Sequence, residues 1–236
     1  MNVTDRRAFL GEFIGTALLL VAVVGSGIMG ERLAGGNVAI ALLANSVATG
    51  AALIALILTF GPISGAHFNP AVSLADASQG GLSWSQAWSY VVAQGTGAGF
   101  GVAAADYMFR EPVFAWSQHA RNGLPQAFSE AVATFGLLAV ICGCSRRRSA
   151  AVPFAVGAYI AGAYWFTSST SFANPAVTVA RSLTNTFAGI RPTDVPLFIV
   201  AQLVGAAAAT ALFRWLVPAL PRTAEQVVVP HELSKL

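Results

Sequence analysis

Six long apolar runs, Phe9 to Met29, Val38 to Phe60, Trp88 to Tyr107, Phe128 to Cys142, Ala151 to Phe166 and Val195 to Leu216, succeed one another along the chain. About 20 apolar residues at about 1.5 Å each match the hydrocarbon core of a bilayer, roughly 30 Å thick. Backbone in hydrocarbon must satisfy its own hydrogen bonds, so runs of this length read as helices. The fourth and fifth are short but extend through Gly, Ala and Ser into their flanks. Only 10% of the residues are charged and the mean hydropathy is +0.66, whereas about a quarter of a soluble protein is charged. The sequence predicts one membrane domain over residues 1–236 with six spans. The first run is too long for the apolar core of a signal peptide and no small-residue cleavage site ends it, so it is expected to remain as a span.

The two halves of the chain match each other. Glu12-x3-Thr16 pairs with Glu130-x3-Thr134, Asn69-Pro70-Ala71-Val72 with Asn174-Pro175-Ala176-Val177, and Gln94-x2-Gly97-Ala98 with Gln202-x2-Gly205-Ala206. Each half, about residues 8–108 and 126–217, holds three spans, an odd number. The second copy therefore crosses the membrane upside down relative to the first, which makes an inverted repeat.

Asn is a good N-cap and Pro favours the first helical position. Each Asn-Pro-Ala box then begins a helix of about ten residues, long enough for half a bilayer. The stretches before them, Gly61 to Phe68 and Thr167 to Ala173, are rich in turn formers and hydroxyls. Irregular backbone at membrane depth survives only inside protein or beside a water-filled cavity. Each stretch is expected to re-enter the bilayer from its own side, so that the two Asn caps meet near the middle.

Two helix N-termini facing each other place about half a positive charge apiece at that centre. The Asn amides add donors, and the carbonyls of Gly65, Ala66, His67 and of 169–172 offer acceptors along one wall. Cations are repelled there, while a neutral molecule with lone pairs can be held.

The paired boxes, the segment SGAHFNPAV, and the repeated Glu-x3-Thr and Gln-x2-Gly-Ala blocks resemble the aquaporin and aquaglyceroporin (major intrinsic protein) family over about residues 8 to 217. The resemblance implies an all-α membrane fold of six transmembrane helices plus two re-entrant half-helices, an hourglass pore in each subunit, and a homotetramer. It implies passive permeation of small neutral solutes across the lipid bilayer, with no enzymatic step, cofactor or metal. Asn69 and Asn174 would be the central donors, and a four-residue constriction would fall on Thr49, Gly162, Ser171 and Val177.

Most of the family has arginine after the second box; this chain has Val177. Arg181, one turn onward, shares a similar face but is expected deeper along the half-helix than the constriction. A filter of Thr, Gly, Ser and Val should be wide, uncharged and poor in donors. That suits glycerol, urea and metalloid hydroxides such as arsenous acid besides water, and the sequence also looks like bacterial channels of arsenic-resistance operons, in the inner membrane. An ordinary water and glycerol facilitator is the alternative. A secondary transporter shares inverted repeats but needs ionisable residues for coupling, and a plugged structural protein would pass nothing.

Glu12 and Glu130 are expected to accept hydrogen bonds from the opposing re-entrant loop rather than relay protons, with Gln94 and Gln202 in the same scaffold and His67 bracing the first loop. Gly11-x3-Gly15, Gly97-x3-Gly101 and Gly205-x3-Ala209 fit close helix crossings. With both termini inside, eight basic residues fall on the cytoplasmic side against five outside, and Arg146 to Arg148 form one cluster there. This asymmetry accounts for the net charge of +3 without a nucleic-acid partner. Cys142 and Cys144 read as small apolar fillers. The polar segment 218–236 reads as a cytoplasmic tail.

Overall fold

The computed structural model describes residues 3–145 and 149–216. The Arg146 to Arg148 cluster and the tail, with Arg222, His231 and Lys235, lie outside the described residues. Among the described residues the order is α1 (Val3–Leu33), α2 (Val38–Ser64), α3 (Pro70–Gln79), α4 (Trp84–Phe109), α5 (Leu124–Ser145), α6 (Val152–Phe166), α7 (Pro175–Arg181) and α8 (Val195–Leu216). Six long helices and two short ones thus form an inverted repeat: α1, α2, α3 and α4 answer to α5, α6, α7 and α8.

Packing follows the same symmetry. Helix α1 lies against α2 and α4, α5 against α6 and α8, and α2 meets α6 to join the halves. Each short helix touches the long helix that follows it and the matching one of the other half: α3 packs on α4 and α8, α7 on α8 and α4. The glycines of the repeated Gln-x2-Gly blocks make these approaches possible. A Cβ on Gly97 would stand 2.3 Å from the Phe13 carbonyl, and one on Gly205 2.3 Å from that of Ala131. Only hydrogen fits at either place.

Five helical spans among the described residues are long and apolar enough to cross a membrane on that ground alone, and α4 is not one of them. Its glycines and the polar Gln86, Gln94 and Thr96 lower its hydropathy, and its packing along α1 fixes its course. Helices α1, α2, α4 and α5 run past their apolar cores, while α6 and α8 keep to them. Helix α2 differs most: it runs through Gly61 and Pro62 to Ser64, where an irregular stretch from Gly61 was expected. A proline so near the end forfeits one ladder bond without unwinding the helix. Gly65, in the left-handed region at φ 83°, closes it by donating its N–H to the Gly61 carbonyl.

Candidate functional site

Asn69 and Asn174 meet where α3 and α7 begin. Asn69 Oδ1 accepts the Ala71 N–H at 2.9 Å, and Asn174 Oδ1 accepts those of Ala176 at 3.0 Å and Val177 at 3.3 Å. Pro70 and Pro175 stand at the first helical turn, where their missing N–H costs nothing. Ala71 and Ala176 are buried behind them. The amides then cross over. Asn69 Nδ2 donates to the Ala173 carbonyl at 2.8 Å, and Asn174 Nδ2 to the Phe68 carbonyl at 2.7 Å. Each box is therefore fastened to the carbonyl that immediately precedes the other, and the second N–H of each amide remains.

The two re-entrant segments share an unusual backbone. Ala66 and Phe68 in the first, and Ser171 and Ala173 in the second, have φ of 50°, 49°, 50° and 48°. These are the same positions relative to each Asn. Left-handed geometry costs a residue with a Cβ about 1–2 kcal/mol, so something must hold it. Two buried carboxylates do. Glu12 accepts from the His67 N–H at 2.9 Å, the Phe68 N–H at 2.7 Å, Ser64 Oγ at 2.7 Å and Gln94 Nε2 at 2.8 Å. Glu130 accepts from the Phe172 and Ala173 N–H groups at 2.9 Å each and from Gln202 Nε2 at 2.6 Å. Each glutamate thus clamps the loop of its own half, not the opposing one as the sequence suggested, and between the two re-entrant loops it is the Asn amides that reach across. Gln94 also donates to Ser73 Oγ and Gln202 to Thr178 Oγ1, both on the half-helices. His67 is held through Nδ1, 3.0 Å from Ser73 Oγ, with its ring edge-on to Tyr90.

Beside this frame runs a narrow cavity of about 60 Å³. Asn69 and Asn174 line it, with residues 66–68 and 171–173 of the two segments. The facing wall is apolar, built from rows such as Leu53 and Ile57 on α2 and Val152, Val156 and Ile160 on α6. No Asp, Glu, Lys or Arg lines it among the described residues. One end is closed in by Thr49, Tyr164, Ser171 and Val177; Ser171 Oγ is buried and has no hydrogen-bond partner among the described residues.

Thr49, Ser171 and Val177 therefore line the cavity, but Gly162 does not. The cavity row on α6 has a spacing of four, Val152, Val156, Ile160 and Tyr164. Gly162 lies two residues from its neighbours in that row, about 200° round the helix, and it is on the exposed face. Counting back from Asn174 through an irregular segment does not fix the phase of the helix before it. Tyr164 takes the place, its hydroxyl 3.2 Å from Thr49 Oγ1. The expected opening beside a glycine is filled by an aromatic ring, and the donors number more than foreseen. Arg181 also stays out of the lumen: it is 2% exposed, with its guanidinium over the ring of Phe172.

Three sets of known proteins bear on this geometry. The family model described as "Major intrinsic protein" matches residues 1–168 and 145–235. The chain is similar to "Aquaglyceroporin AqpS" of Rhizobium meliloti (strain 1021), 54% identical over 216 residues that cover 91% of this chain and 92% of the relative. It is similar to "Aquaporin Z" of Bradyrhizobium diazoefficiens, 30% identical over 232 residues, 90% and 94% of the two chains. In fold it is like the X-ray structure of the aquaglyceroporin from Plasmodium falciparum, with a TM-score of 0.73 at 22% identity over 92% of this chain and 98% of that one.

Proposed function

The chain belongs to the major intrinsic protein family, and from that premise we propose that it conducts water, glycerol, urea and metalloid hydroxides such as arsenous acid down their gradients. It is a multi-pass membrane channel and not an enzyme. The observation that carries the finer reading is the Thr49 end of the cavity, where hydroxyls of Thr49, Tyr164 and Ser171 and the apolar Val177 meet with no charged side chain among them.

A neutral polyol or metalloid hydroxide leaving water needs donors and acceptors on one side and tolerates apolar wall on the other. The lumen offers this: hydroxyls at the Thr49 end, then the remaining N–H of each Asn amide, with apolar α2 and α6 rows opposite. Two helix N-termini at the centre disfavour cations. Val177 in place of the family's arginine leaves room for solutes bulkier than water, although Tyr164 makes the opening narrower than a glycine would. The names of the relatives, aquaglyceroporin and aquaporin, support glycerol and water. The channel is further proposed to be a homotetramer of the bacterial inner membrane, with both termini cytoplasmic.

Stopped-flow light scattering on proteoliposomes tests the reading. Expected are glycerol, urea and arsenous acid fluxes linear in concentration and indifferent to ion gradients. Saturation with an ion dependence would make the protein a transporter, and rates equal to those of empty vesicles would leave no channel to discuss.

A further inference from the structure

The two re-entrant segments differ in what stands behind them. Phe172 and His67 are matching positions, each two residues before its Asn, and both line the cavity. Behind Phe172 stand two buried arginines. Arg181, from the last turn of α7, donates through Nε to the Ala188 carbonyl, and its Cζ lies 3.4 Å from the Phe172 ring centroid. Arg121 reaches in from the connection between α4 and α5 and is 7% exposed. Its Nε donates to the Gly189 carbonyl at 2.8 Å and its Nη1 to the Ser169 carbonyl at 3.1 Å, while its Cζ lies 5.0 Å from the same ring centroid.

Among the described residues no carboxylate pairs with either guanidinium. Glu130 gives its oxygens to the Phe172 and Ala173 N–H groups and to Gln202, and its charge acts on both guanidiniums from a distance, offsetting part but not all of their field. Asp194 accepts the backbone N–H of Arg121 and a guanidinium N–H of Arg191. Among the described residues neither Arg121 nor Arg181 forms an ion pair. Carbonyl dipoles and the ring face satisfy their hydrogen bonds and part of their charge, and the remaining field extends through a low-dielectric wall into the lumen. Around His67 the matching partners are an acid and a phenol: Asp76 Oδ2 stands 3.9 Å from Nε2, and Tyr90 packs against the ring.

We infer that Arg121 and Arg181 together supply the cation barrier of this pore from behind the wall, in place of an arginine in the lumen at Val177. Charge and width are thereby separated: the filter keeps an apolar side chain, Val177, beside Thr49, Tyr164 and Ser171, and the positive potential comes through Phe172. Both are positioning residues, acting on the solute through the field and not by contact. The inference rests on the channel reading above.

The test measures K⁺ leak and glycerol flux on the same proteoliposomes for the wild type, Arg121→Gln, Arg181→Gln and Arg121→Lys. The wild type is expected to hold K⁺ despite Val177. Each Gln variant should leak K⁺ roughly tenfold faster, the scale of one charge at about 10 Å in a medium of intermediate dielectric, while glycerol still passes. Arg121→Lys keeps the charge and loses the planar fork of donors, so it should stay close to the wild type. Gln variants that pass glycerol and remain tight to K⁺ overturn the inference, as does an Arg121→Lys channel that leaks like Arg121→Gln. A wild type that leaks K⁺ freely overturns it even if Arg181→Gln fails to fold. A wild type without glycerol flux defeats the channel reading instead.

Discussion

Thr49 Oγ1 and the Tyr164 hydroxyl stand 3.2 Å apart and tie α2 to α6 at one end of the cavity. An aromatic ring and one hydrogen bond line that end. Tyr164→Ala removes both and should raise glycerol and urea flux several-fold, whereas Tyr164→Phe keeps the ring and should change it little. Gly162→Leu, on the exposed face, should leave flux as it is. Stopped-flow vesicle shrinkage measures all three, and a Gly162→Leu channel blocked as strongly as a filter variant would mean that the face of α6 is misassigned.

Val177→Arg should act in the opposite sense. Its side chain would enter the lumen between Ser171 and Tyr164, both of which line the cavity with it. Glycerol and arsenous acid fluxes should fall on the order of tenfold, about 1.4 kcal/mol of added barrier, with water affected less. Equal fluxes of the larger solutes through wild type and variant would remove Val177 from the filter.

The frame around the pore was the more legible part of the sequence. Asn followed by Pro carries a helix start in its own chemistry, and matched blocks at corresponding places in two halves force the inverted repeat. What escaped depended on phase and on distant partners. Gly162 and Tyr164 are two residues apart, and only the conformation of 167–173 decides which of them faces the lumen. Glu12 and Glu130 were recognisable as buried scaffold acids, but their choice of loop follows from how α1 and α5 pack. Arg121 gave no local signal: its guanidinium finds its acceptors in the Ser169 and Gly189 carbonyls, far along the chain.

Glu12 and Glu130 predict matched losses of stability. In Glu130→Gln the amide keeps one acceptor oxygen, so the Phe172 or the Ala173 N–H loses its partner while Ser171 and Ala173 remain in left-handed geometry. A lost hydrogen bond to a buried charge costs about 1.5–3 kcal/mol, visible as a lower unfolding temperature in detergent. Glu12→Gln should cost a similar amount through His67 and Phe68. If either variant unfolds at the wild-type temperature, its loop is held by other contacts.

His119 reports on the field of the two arginines without any flux measurement. Partial desolvation first, then the guanidiniums of Arg121 and Arg181, hold its imidazole below the ordinary 6.5. A depressed pKa on a base means that the folded protein resists the proton. Above 6.5 the group has no effect on stability; as pH falls from 6.5 through the folded pKa a penalty develops, and it is complete below that value. The side chain is exposed, so the shift itself is the better observable. An NMR titration of the imidazole should place His119 below 6.5 in the wild type and nearer to 6.5 in Arg121→Gln. An unchanged value would mean that desolvation alone depresses it, and that Arg121 projects little charge toward this side of the protein.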